Sequence, residues 1–166
     1  MRFDVVTIFP AMFDAVSEWG ITSRALQRGL WQLHRWNPRD YARDAYRSID
    51  DRPYGGGQGM VMLPETLADT LQAIAGAQGD PRAPVVHLTP RGRPLDQARA
   101  RALSELPALT LLASRYEAVD QRLLDRHVDD EISIGDFIVS GGELPAMLLI
   151  DALVRLLPGA LNDPRS

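Results

Sequence analysis

Apolar residues come in short runs divided by polar, glycine-bearing turns, and the runs follow two periods. Residues 3–9 (FDVVTIF) are rich in β-branched and aromatic side chains and predict a buried strand. Pro10 suits the first turn of a helix running to about Glu18, with Gly20 as its stop. Ser23 is the expected cap of a second short helix ending near Gly29. Residues 31–36 alternate as a strand. From Asn37 to Gly59 no period dominates, which predicts a long loop. Leu67, Leu71 and Ile74 share one face of a helix expected over 64–74, and 75–84 reads as a surface connection.

One unit then recurs three times. A short apolar run (85–88, 109–112, 132–134) is followed by a polar or glycine-bearing turn (89–94, 113–118, 135–145) and a helical stretch. This order predicts an α/β fold with a parallel sheet covered by helices. Ligands bind such sheets at the carboxyl ends of the strands, so the three turns should meet around one site. The last helix, expected over 145–157, is apolar nearly all round and should be buried. Pro158 and Gly159 end it, and 161–166 reads as the start of a linker.

Composition narrows the classes. A chain of 166 residues suits one domain with a real core. No run of about 18 apolar residues predicts a membrane span. Asp4 lies where a signal peptide would be apolar, so a cytoplasmic protein is expected. Cysteine is absent, which removes disulfides, thiolate catalysis and Cys-based zinc sites. The net charge of −4 is unlike that of a small domain binding nucleic acid alone. RNA contact would therefore come from local patches or from further sequence. All 18 basic residues are arginine. A GC-rich genome explains that, although arginine also suits forked contacts to phosphate.

Four stretches are candidates for chemistry. Residues 51–62 (DRPYGGGQGMVM) lack both the Walker pattern and the strand–GxGxxG–helix context. They read as a flexible connection or as backbone approaching a ligand. Arg35, Arg39, Arg43 and Arg47 recur at every fourth position, but Pro38 interrupts a helix and nearby aspartates offset the charge. A salt-bridged surface and an RNA-facing patch both remain open. His34, His87 and His127 lack ligand-like spacing, and Ser140 lacks the nucleophile-elbow form. Residues 133–146 (SIGDFIVSGGELPA) join glycine turns to a helix start with free N–H groups. They suit either a neutral purine or a tight packed crossover.

The chain resembles bacterial tRNA (guanine-N1)-methyltransferases, members of the knotted SPOUT superfamily. The resemblance runs through TIFPAMF (7–13), WNPRDYARDAYRSIDDRPYGGGQGMVM (36–62), LTPRGRPLDQ (88–97), SRYEAVDQR (114–122) and SIGDFIVSGGELPAMLLIDALVRLLPG (133–159). It implies methyl transfer from S-adenosylmethionine to N1 of the guanine beside the anticodon, and a deep trefoil knot in the C-terminal half. It also implies a homodimer and tRNA as partner, and it leaves the need for Mg²⁺ open, with no metal ligand assigned in the chain.

By position, Leu88, Thr89, Pro90 and Gly92 would form the first cofactor loop. Ser114, Arg115, Tyr116 and Glu117 would form the second. Ile134, Gly135, Asp136, Phe137, Ile138, Val139, Ser140, Gly141, Gly142 and Pro145 would close over the adenine. Arg155 would stabilise negative charge on the guanine oxygen, while Arg52, Tyr54, Gly57 and Gly59 would face RNA. Two positions depart from the family, where glycine is usual at Ser114 and Ala118. The resemblance puts the general-base aspartate and a tRNA-gripping domain after Ser166. Residues 1–160 are accordingly expected to be the cofactor-binding domain, nearly inactive alone. A SPOUT enzyme acting on ribosomal RNA fits the stretch 36–62 less well. A cofactor-binding and dimerisation module without catalysis is the remaining alternative.

Overall fold

The computed structural model describes residues 1–116 and 118–163. A five-stranded sheet lies at its centre. Its order is β2 (Gln32–Trp36), β1 (Arg2–Val6), β6 (Ala108–Leu112), β5 (Val85–Pro94) and β8 (Asp130–Ser133), and every pairing is parallel. Phe3, Val5 and Val6, with Leu109, Leu111 and Leu112, are buried on both faces, as covered parallel strands require.

Helices cover each face. Below one face lie α1 (Asp14–Ser17), α2 (Gly20–Gln27), α4 (Gln97–Ser104) and α6 (Glu143–Val154), around Phe13, Trp31 and Leu149. Below the other lie α3 (Pro64–Gln78) and α5 (Gln121–His127), around Ile49, Leu67, Ile74 and Leu123. No helix among the described residues is long and apolar enough to cross a membrane.

The three strand–turn–helix units stand as expected, with several boundaries moved. Ser23 is no cap: it is buried inside α2, which begins at Gly20 after an extended Trp19. Packing of Thr22, Ser23 and Ala25 against the core extends the helix beyond the local capping signal. α3 runs one turn further than its apolar spacing, because Gln78 is held by Asp4 and Thr110. The last helix starts at Glu143 and is not buried all round. Leu144 and Leu148 are about half exposed, because the sheet and its neighbouring helices cover only the opposite side. The loop 37–59 contains a short 3-10 turn (Pro38–Tyr41) and β3 (Asp50–Asp51). β3 pairs antiparallel with β4 (Val61–Met62), and β4 pairs parallel with β7 (Ala118–Val119). The arm formed by 37–60 is thereby tied beside the second turn.

One arrangement has no counterpart in a plain doubly wound sheet. Leu88 and Arg93 of β5 both pair with Ile132 of β8, and Pro94 pairs with Ser133. A strand has two edges, so β8 has β5 on both of them, and residues 89–92 cross over it. At the crossing, a Cβ on Gly92 would lie 2.5 Å from the backbone of Glu131 and of Ile132.

Candidate functional site

A cavity of about 440 Å³ opens at the carboxyl ends of β5, β6 and β8, where open parallel sheets bind ligands. Its size is ordinary for small-molecule sites. The first turn contributes Leu88, Thr89 and Pro90, and the second contributes Ser114, Arg115 and Tyr116. From the third come Ile134, Gly135, Phe137, Ile138, Val139, Ser140, Gly141 and Gly142, with Pro145 from α6. Asp136 and Gly92 do not line the cavity, and Glu117 lies outside the described residues. Gly92 instead permits the backbone crossing over β8.

Sequence reasoning missed a buried polar frame beneath this wall. Glu143, in the first turn of α6, is fully buried. Its Oε2 accepts from Arg115 Nε at 2.9 Å, and its Oε1 accepts from Thr7 Oγ1 at 3.0 Å. Thr7 Oγ1 in turn accepts from the Phe9 backbone N–H. The Arg115 guanidinium also lies 4.6 Å above the Phe9 ring. Its side chain is thus occupied in holding the second turn to α6. Gly141 and Gly142 close this frame. Arg115 and Gly141 form an antiparallel bridge, and the Gly142 N–H donates to the Ser114 carbonyl at 2.8 Å. A Cβ on Gly142 would sit 2.8 Å from Ala113 Cα. No signal short of the fold joins Thr7 to Glu143 across 136 residues.

Also missed were His87 and Glu131, both on the cavity wall. His87 is buried between Glu131 and Ser114: Nδ1 is 3.2 Å from Glu131 Oε2, and Nε2 is 2.8 Å from Ser114 Oγ. Burial lowers the His87 pKa below its ordinary value, while Glu131 acts in the opposite sense. Ser114 in place of a glycine brings no backbone strain. The non-glycine residues with positive φ among those described are Arg47 and Tyr116. Burial and the nearby Asp50 raise the Tyr116 phenol pKa, keeping it neutral.

The remaining expected residues lie elsewhere. Arg52, Tyr54, Gly57 and Gly59 are exposed in the β3–β4 connection and do not line the cavity. Arg155 is exposed at the carboxyl end of α6. At 1.5 Å rise per residue, it is about 15 Å along the axis from Pro145. Three of the regularly spaced arginines are salt-bridged on the surface: Arg35 to Asp14, Arg43 to Asp69 and Arg47 to Asp40.

Aromatic and aliphatic side chains, glycine backbone and few charges suit a flat neutral heterocycle with a polar tail. Among the described residues, no three His, Asp or Glu side chains gather as a metal site. The family described as tRNA (Guanine-1)-methyltransferase TrmD matches residues 1–166. The chain belongs to that family. A tRNA (guanine-N(1)-)-methyltransferase from Ralstonia nicotianae is 58% identical over 166 residues, which is 100% of this chain and 63% of that protein. One from Thiobacillus denitrificans is 58% identical over 168 residues, covering 100% of this chain and 71% of that protein. The crystal structure of the Aquifex aeolicus tRNA (m1G37) methyltransferase superposes with a TM-score of 0.89 at 37% identity. It covers 100% of this chain and 74% of that one. The family's parallel α/β architecture is therefore the one found here.

Proposed function

We propose that this chain binds S-adenosylmethionine in the cavity and belongs to an enzyme that methylates N1 of the guanine beside the tRNA anticodon. The carrying observation is the meeting of three separate turns, with family-like sequence in each, on one cavity. Its residues fit that cofactor. Leu88, Ile138 and Val139 offer an apolar wall for adenine, and the turn 133–142 offers backbone groups to its edge. The cofactor supplies an electrophilic methyl group. The chain's own part is to hold it, exclude water and present the sulfonium to the guanine.

As N1 loses its proton, charge spreads to the guanine oxygen, and Arg155 is the group assigned to stabilise it. Its distance from its own cavity favours service at a second copy's site. The exposed apolar residues Leu144 and Leu148, on the same stripe of α6, favour a homodimer that buries them. The crossing of 89–92 over β8 favours the trefoil knot. Residues 1–160 are read as the cofactor-binding domain, in a cytoplasmic enzyme, with Arg52, Tyr54, Gly57 and Gly59 facing tRNA. No three His, Asp or Glu side chains among the described residues gather to hold a resident Mg²⁺.

Isothermal titration of the chain with S-adenosylmethionine tests the reading. One site per chain is expected. No heat and no thermal shift at millimolar cofactor would overturn it.

A further inference from the structure

His87, Ser114 and Glu131 come from three different segments and form one hydrogen-bonded chain on the cavity wall. The His87 side chain is 7% exposed and that of Glu131 38% exposed. An ionised carboxylate only accepts, so Nδ1 of neutral His87 carries the hydrogen and donates to Glu131. Nε2 then accepts from the Ser114 hydroxyl. The single hydroxyl hydrogen is thereby committed to His87, and only lone pairs of Ser114 Oγ remain for a ligand.

We infer that this relay makes the wall a reader of positive charge: Ser114 Oγ and Glu131 accept from, or lie against, the cationic part of the cofactor, with His87 as the positioning residue. The inference rests on the S-adenosylmethionine reading of the cavity and goes beyond it, because it gives the serine's side chain a role. A glycine at that position could supply backbone only.

Among the described residues, the charged and titratable groups around His87 are few. Glu131 faces it from β8, Arg91 follows further along β5 on the same cavity wall, and Arg115 is held by Glu143. The Tyr116 phenol is neutral. Protonating His87 reverses the relay. Nε2–H would donate to Ser114 Oγ, the hydroxyl hydrogen would turn outward, and a positive charge would stand behind it. Because burial opposes protonation, the acceptor form prevails at neutral pH.

The test is calorimetric titration of the chain from pH 7.5 to 5 with S-adenosylmethionine and with S-adenosylhomocysteine, whose sulfur is neutral. Affinity for the cationic ligand should fall about tenfold, the equivalent of one pKa unit of coupling. The neutral-sulfur ligand should fall several-fold less. In His87→Gln the difference in slope should vanish, and Ser114→Gly should keep binding while losing preference for the cation. Equal slopes in the unmodified chain, or an unchanged difference in His87→Gln, would overturn the relay while leaving the cavity reading intact. Should His87→Gln not fold, the two slopes of the unmodified chain decide. No binding of either ligand at any pH would remove the cavity reading, and the relay with it.

Discussion

The cavity end and the arm over residues 37–60 both depend on glycine and arginine, yet they use them for opposite reasons. At the cavity end, Gly92 and Gly142 are small because backbone passes within 3 Å of where a Cβ would stand. In the arm, Gly55 has open space around it and a φ of 85°. There the backbone conformation, not a neighbour, demands glycine. Arginine divides the same way. Arg115 meets a carboxylate with no exposure, while Arg43 meets Asp69 in water. Contact with buried backbone and buried charge should make the first region intolerant, and solvent should make the second forgiving.

The sharpest break of that contrast is Glu143→Ala. It leaves Arg115 and Thr7 without their shared partner and should cost about 4 kcal/mol, the scale of a broken buried pair. Urea denaturation measures it, and a loss below 1 kcal/mol would mean the frame holds little together. Gly92→Ala comes next, at about 3 kcal/mol, because its neighbours are backbone atoms that cannot rotate away. An unchanged denaturation midpoint would show that the crossing can loosen. Gly55→Ala should cost about 1 kcal/mol, the strain of a left-handed alanine, readable as a small drop in melting temperature with cofactor affinity unchanged. Smallest is Arg43→Ala, under about 1 kcal/mol. Its effect should shrink further in 1 M salt. A salt-insensitive loss would mean that the arm's ion pair is less exposed than its neighbourhood indicates.

Much of the first region was legible because its signals are local. Each apolar run, turn and helix announces itself within about twenty residues, and the rule for open parallel sheets brings the turns together. What could not be read was anything that depends on register. His87 and Glu131 become neighbours only when β5 and β8 align. Thr7 meets Glu143 only when the end of β1 packs on the start of α6. Gly92 is legible as a member of a loop but not as the residue at which that loop crosses β8. The half exposure of Leu144 and Leu148 is hidden in the sequence for a related reason: an apolar helix shows that its faces want cover, not whether this chain supplies it.

The double grip on β8 has a consequence for solubility. The outermost strand of an open sheet normally offers a ladder of free N–H and C=O groups, on which another chain can add. Here the ladder at Ile132 and Ser133 is taken up by the chain's own next segment. Leu95 N–H donates to the Ser133 carbonyl at 2.8 Å, and Pro94 beside it has no N–H to offer outward. That stretch of the sheet's end is thus closed against strand addition by neighbouring molecules, without a covering helix or a guard of lysines.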